Sequence, residues 1–176
     1  MGKRLFDVAG AVGGLVFFAP IMAAVSAAIL VDDGRPVLFA QPRLGLGRRP
    51  FTILKFRTMR DGRVTRVGRL LRATGLDELP QFLNILRGDM SAVGPRPLTA
   101  DDVARLGWTT SRHDFRWRVL PGLTGLAQLA GPPAAAGSLA LDRYYVRRAA
   151  LWLDVRLIAL SFAVNAIGKA RVQAWM

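Results

Sequence analysis

The chain has 176 residues, with 25 Lys and Arg against 12 Asp and Glu for a formal charge of +13, a single His and no Cys. That length suits one domain with a real core and is short for two; the missing thiols exclude a disulfide framework and a thiolate nucleophile, and His113 alone argues against a His-rich metal site, so a metal would need oxygen ligands. The charge favours anionic partners without choosing among lipid headgroups, nucleotides and nucleic acid.

Val8 to Val31, VAGAVGGLVFFAPIMAAVSAAILV, carries no formal charge and would be roughly 36 Å long as a helix, enough to cross a bilayer. A spanning helix, a helix that enters and leaves by one face, a cleaved signal peptide and a buried soluble helix all compete for this run. The run exceeds the usual apolar core of a signal peptide. Lys3 and Arg4 precede it while Arg35, Arg43, Arg48 and Arg49 follow it, so both flanks ask to be cytoplasmic, which weighs against a span. Pro20, halfway along, lacks an N–H and crowds the carbonyl of Val16, so it predicts a kink, although a spanning helix tolerates one too.

Asp33, Gly34 and Pro36 mark a turn, and the stretch from Phe39 through Gly45, Gly47 and Pro50 holds too many breakers for a helix. FTILKF at 51–56 predicts a strand in a small sheet or hairpin. Lys55, Arg57, Arg60, Arg63, Arg66, Arg69 and Arg72 then form a basic stripe opposed only by Asp61. A solvated face or a surface resting on anionic lipid accounts for the stripe as a whole. Lys55 and Arg57, leaving a strand beside a turn, are candidates to grip phosphate, Arg through its bidentate fork. Arg66, Arg69 and Arg72 recur at spacing three on a helix expected to end at Gly75, which suits lipid contact better.

Leu79, Phe82, Leu83 and Leu86 predict an amphipathic helix terminated by Gly88, with Asp77 and Glu78 at its start. An N-cap and a first-turn dipole partner would explain the acidic pair equally well. The same place suits phosphoryl transfer, because a helix terminus and nearby cations hold anionic oxygens while a carboxylate attacks phosphorus. With no Cys and one His, a carboxylate is the natural covalent nucleophile, and Mg²⁺ would offset its repulsion from a diphosphate. Glu78 is the chain's only glutamate. Beyond it, Pro95 and Pro97 bracket Arg96, which is either a surface residue in a turn or a preorganised clamp on nucleotide phosphate. Pro121, Gly122, Thr124 and Gly125 make another sharp turn before Gln128, where glycine serves backbone geometry. Leu139 to Ala166 reads as helical, and its mix of aromatic and basic residues favours an interfacial position over an ordinary core helix. Asp142 and Asp154 are salt-bridge or cap candidates, and Asp154 with Arg156 interrupts the apolar length a second span would need.

Five segments in order carry a resemblance: KRLFD at 3–7, VLFAQPRLGLGRRPFTILKFRTM at 37–59, LDELPQFLNILRGDMSAVGPRP at 76–97, PGLTGLAQLAG at 121–131 and LDRYYVRRAALWLD at 141–154. The chain resembles, over nearly its whole length, the bacterial sugar transferase family, the monotopic phosphoglycosyl transferases that start glycan assembly on polyprenyl phosphate. The resemblance implies a mainly α fold with a small antiparallel β element. It also implies a re-entrant membrane helix broken near Pro20 within residues 1–35, and a cytoplasmic-face catalytic domain with C-terminal interfacial helices over 36–176. It implies transfer of a sugar 1-phosphate from a nucleotide sugar, usually a UDP sugar, to undecaprenyl phosphate with release of UMP, at the bacterial cytoplasmic membrane, as the first membrane step of glycan assembly. In the family the Asp of the Asp-Glu pair is the covalent nucleophile, which falls on Asp77, the adjacent Glu supports Mg²⁺, which falls on Glu78, and the Arg of the PRP turn meets the nucleotide sugar, which falls on Arg96.

Two departures stand out. Ala19-Pro20 replaces the frequent Ser-Pro, and Gly131 is followed by Pro132 where many relatives have Arg, so sugar preference does not carry over; PPAAAG at 132–137 predicts a short loop. The rival class is a non-enzymatic, membrane-anchored basic module for nucleic acid or another anionic polymer. It explains the charge but not the acidic pair or the PRP turn, and no alternation of basic and aromatic residues builds a base-stacking platform. Nucleotide sugar, polyprenyl phosphate and anionic lipid are therefore the expected partners, and nucleic acid is not.

Overall fold

The computed structural model describes residues 2–131 and 135–167. The first helix, α1 (Gly2–Asp33), stays helical through Pro20. The break expected there does not open a gap in the helix. Length and composition make α1 able to cross a bilayer. One face nonetheless meets the rest of the fold: Ala11, Val25 and Ile29 are buried, and Phe18 and Met22 are partly so. Val16 and Phe17 are largely exposed.

Both ends of α1 are fastened to the same body. At its start the three charged residues of KRLFD all turn inward. Lys3 Nζ bonds to Asp154 at 2.5 Å, Arg4 donates to the carbonyls of Ile85 and Leu86, and the buried Asp7 accepts from Ser91 Oγ and the Ala92 N–H. At its end Asp33 pairs with Arg57 and Arg60, and Asp32 accepts from the Val67 N–H.

The expected hairpin is present. β1 (Leu38–Leu44) pairs antiparallel with β2 (Pro50–Phe56), Leu38 opposite Phe56 and Leu44 opposite Pro50. Pro42 fits inside β1 because that strand has only one neighbour and need not donate on its open side. A two-residue pair, β3 (Met59–Arg60) with β4 (Arg63–Val64), turns through Asp61 and Gly62. The Thr65 hydroxyl caps the next helix, α2 (Arg66–Thr74), which ends at Gly75 in the left-handed region, as expected.

A 3-10 turn, Leu76–Glu78, leads through Pro80 into α3 (Gln81–Arg87), closed by Gly88 at φ +90°. The apolar stripe of α3 is not its deepest face. Gln81, Asn84 and Ile85 are buried, while Phe82, Leu83 and Leu86 are half-buried. Asn84, fully buried, is matched on both sides of its amide: it accepts from the Leu54 N–H and donates to the Thr52 carbonyl and to Asp89. A satisfied polar group can thus occupy the contact with β2 that a hydrophobic pattern would assign to leucine.

β5 (Ser91–Val93) pairs with β6 (Gly122–Thr124) in parallel, so the β content is not only antiparallel. A Cβ on Gly94, Gly122 or Gly125 would collide with neighbouring backbone, so these glycines serve close approach between the two segments. A 3-10 turn, Leu46–Arg48, joins β1 to β2, and the other elements are α4 (Ala100–Arg105), opened by a Thr99/Asp102 capping box, a 3-10 segment Ser111–Arg118, and α5 (Leu126–Leu129). Last come α6 (Ala135–Arg148) and α7 (Leu151–Ile167). Helix α6 begins at Ala135, inside the loop expected over 132–137, whose first part lies outside the described residues.

Val25, Ile29, Phe56, Leu71 and Leu79 join α1, β2 and α2 in one apolar cluster, and Val93, Leu129, Tyr145, Leu153 and Leu157 join β5, α5, α6 and α7 in another. The site lies between them.

Candidate active site

Gly75 reverses the chain at the end of α2, and the 3-10 turn that follows projects Asp77 and Glu78 into a cleft of about 1440 Å³. That cleft is also lined by Lys55, Arg57, Arg72 and Arg96 and, on its apolar side, by residues of α1 and α7. Neither carboxylate caps a helix. Gly75 is the N-cap of the 3-10 turn and Pro80 that of α3, both without a side-chain cap bond.

Lys55, at the end of β2, bonds to Glu78 Oε1 at 2.5 Å. Burial first, and then the neighbouring charge of Glu78, push the Asp77 carboxyl above its ordinary value, while Lys55 and Arg72 pull it back. Asp77 is half-buried and its carboxylate takes no hydrogen bond from another side chain among the described residues. A half-desolvated carboxylate, surrounded by cations but tied to none, is equipped to act as a nucleophile on an anion.

Among the described residues no three His, Cys, Asp or Glu side chains cluster as a ready metal cage. The adjacent Asp77 and Glu78 still fit Mg²⁺ chemically, since that ion commonly takes one or two carboxylates and completes its shell with water and substrate phosphate.

Arg96 is exposed into the cleft between the buried Pro95 and Pro97. Its backbone is fixed from behind. The Arg116 side chain, almost wholly buried, donates through Nη2 to the Arg96 carbonyl at 2.6 Å and through Nε to Asp142 at 2.6 Å. Asp142 is thus a salt-bridge partner, as expected, and so is Asp154, which Lys3 and the Tyr145 hydroxyl both reach. Burial, together with the Asp154 charge, pushes the Tyr145 phenol well up.

The structure brings Asp77, Glu78, Lys55 and Arg96 to one cleft, and the family model described as bacterial sugar transferase matches residues 1–167. The chain belongs to the bacterial sugar transferase family. It is 42% identical over 181 residues to the UDP-glucose:undecaprenyl-phosphate glucose-1-phosphate transferase of Caulobacter vibrioides, across 89% of this chain and 66% of that one. It is 38% identical to the UDP-N-acetylgalactosamine-undecaprenyl-phosphate N-acetylgalactosaminephosphotransferase of Aeromonas hydrophila, across 89% of this chain and 41% of that one. It is 40% identical to the sugar transferase EpsL of Bacillus subtilis, across 90% of this chain and 84% of that one. The chain therefore spans just under two thirds of the first of these relatives and less than half of the second.

In this family member the basic stripe divides differently from its spacing. Arg57 lines the cleft, but its guanidinium is engaged with the end of α1: it pairs with Asp33 at 2.9 Å and donates to the carbonyls of Asp33 and Gly34. Arg72, expected on a lipid-facing row, instead lines the cleft, with Nε on Thr58 Oγ1 at 2.9 Å and its charge acting on Asp77. The reason is the αL turn at Gly75, which folds the last turn of α2 back toward the acidic pair. Arg43, Gln41 and Gln128 also line the cleft. In the sequence Arg43 stood out only as one of the charges that follow the apolar run and as part of the resembling segment 37–59, and neither placed it in the cleft.

Proposed function

We propose that the chain is a phosphoglycosyl transferase that moves a sugar 1-phosphate from a nucleotide diphosphate sugar to a polyprenyl phosphate. The observation that carries this reading is the Asp77 carboxylate, raised by burial and free of side-chain hydrogen bonds among the described residues, in a cleft with cationic walls and an apolar side. Family membership and relatives whose names specify UDP sugars and undecaprenyl phosphate support the same donor and acceptor classes, UDP sugar and undecaprenyl phosphate.

In the first displacement Asp77 attacks the sugar-bearing phosphorus. A carboxylate O–P bond forms, the bond to the bridging oxygen breaks, and nucleoside monophosphate departs with that oxygen and its electron pair. Arg96 holds the departing phosphate, and Lys55 keeps Glu78 oriented beside the reacting group. In the second, an oxygen of the polyprenyl phosphate attacks the same phosphorus and restores the Asp77 carboxylate. The soluble donor can thus leave before the membrane-borne acceptor aligns. Glu78 would hold Mg²⁺, which when bound supplies positive charge against the repulsion between carboxylate and diphosphate.

The reading places the site on the cytoplasmic face of a bacterial membrane, with α1 re-entrant and the exposed Leu151, Trp152 and Phe162 of α7 at the lipid surface. The attachment of both ends of α1 to one body supports it, because a spanning helix would carry its ends to opposite faces. Positive charge on both flanks supports it as well, and Pro20 offers the bend. The test is a product assay with a panel of nucleotide sugars and polyprenyl phosphate in purified membranes. Release of nucleoside monophosphate with formation of polyprenyl diphosphate sugar is expected. Failure of every nucleotide sugar to give either product would contradict the reading.

A further inference from the structure

Arg43 leaves β1 toward the PRP turn, where the backbones meet: the Leu44 N–H donates to the Leu98 carbonyl at 2.8 Å. Its guanidinium is mostly buried and lines the cleft. Its contacts hold it in place and leave part of its donor capacity unused. Nη2 donates to Gln41 Oε1 at 2.6 Å, and Nη1 reaches the Pro97 carbonyl at 3.4 Å and Asp102 Oδ2 at 3.3 Å. The Nε–H is buried with no acceptor among the described residues.

The carboxylate it pairs with is already shared. Asp102 accepts from Arg105 at 2.8 Å and from the Thr99 N–H that closes the capping box of α4. Burial holds the Arg43 guanidinium below its ordinary value, the Asp102 charge opposes that, and the nearby Arg96 charge adds to it. Arg43, bonded to the Pro97 carbonyl of the PRP turn, thus lines the cleft with Arg96, and the carboxylate it pairs with is shared with Arg105. Such a pair of guanidinium groups is stabilised by a bound dianion, and a phosphate presents oxygens at the spacing of a guanidinium fork.

We propose that Arg43 and Arg96 together seat the phosphate that departs with the nucleoside, so that Arg43 is a donor-binding residue. The inference rests on the phosphoglycosyl transferase reading and adds to it a residue and a ligand group. The shared chemistry is a nucleoside 5′-phosphate.

Calorimetric titration of the full chain in detergent with uridine, UMP and UDP tests it. Arg43→Gln should weaken UMP and UDP by about tenfold, the loss of one charge-assisted contact, and leave uridine unchanged. Arg43→Lys should not restore them, because one ammonium cannot keep the Gln41, Pro97 and Asp102 contacts together. Asp102→Asn, which leaves Arg43 in place and can preserve the cap, should tighten UDP and steepen its salt dependence. Asp102→Asn keeps the proposal testable even if Arg43→Gln fails to fold. UDP affinity within twofold of the parent in Arg43→Gln, or no tightening in Asp102→Asn, would overturn the role of Arg43. A parent chain that binds UDP no better than uridine would instead bring down the donor assignment itself.

Discussion

Two aspartates in this fold are pushed up by burial, yet they do opposite things. Asp142 spends its charge on Arg116 at 2.6 Å, which anchors the turn that presents Arg96. Asp77 has no such side-chain partner among the described residues, so its carboxylate, once deprotonated, is open to attack phosphorus. The sign of its pH dependence follows. Only the deprotonated form attacks, and because folding raises its pKa, kcat/KM falls as pH drops through a value above the ordinary Asp range of about 4. Lys55 opposes the rise, so Lys55→Met should move the acid limb to still higher pH. A pH–rate profile whose acid limb sits at the ordinary value in both proteins would remove Asp77 from the rate-determining chemistry. Among single residues, the turns that present Asp77, Glu78 and Arg96 were legible from their glycine and proline neighbours, while their proposed roles rest on the family resemblance. Arg72 and Arg43 were not legible, since nothing local says that Gly75 turns α2 toward the cleft or that β1 ends against Pro97.

At the scale of elements, α2 shows how close contact overrides helix propensity. Gly68, buried in its first turns, lies against the backbone of Thr58, and a Cβ there would collide with the Thr58 carbonyl. Alanine normally gains a helix about 0.5–1 kcal/mol over glycine, but here the neighbour is backbone and cannot swing away. Gly68→Ala should therefore destabilise the protein, by about 1–3 kcal/mol, and lower activity by displacing Arg72 on the same helix. Thermal unfolding and turnover check it, and a variant more stable than its parent would contradict the contact. Helix α3 follows a related logic. Its existence and its stop at Gly88 were legible from period and glycine, whereas its buried face was not, because Gln81 and Asn84 are polar, and Asn84 finds its partners in β2, far along the chain.

At the scale of the whole molecule, the fold is closed by contacts between distant segments: Lys3 with Asp154, Asp7 with Ser91, and Arg57 with the end of α1. The apolar run, the hairpin and the C-terminal helices were legible from local pattern, but the parallel pairing of β5 with β6 and the inward turn of KRLFD depend on tertiary docking. The proposed re-entrant arrangement of α1 can be tested in a chain that lacks native thiols. Cysteines at Gly2 and Arg35, introduced singly, should both be protected from an impermeant thiol reagent outside intact cells. Labelling of one and not the other would make α1 a span.

The central claim is that Asp77 carries the phosphosugar between two substrates. Full chain incubated with a sugar-labelled nucleotide diphosphate donor, without acceptor, then acid-quenched and analysed by mass spectrometry, should carry one phosphosugar on Asp77. Asp77→Asn should abolish that adduct, and adding polyprenyl phosphate to the parent should discharge it. Undiminished turnover by a folded Asp77→Asn protein, with no adduct in either form, would contradict the claim and leave direct attack by the acceptor as the route.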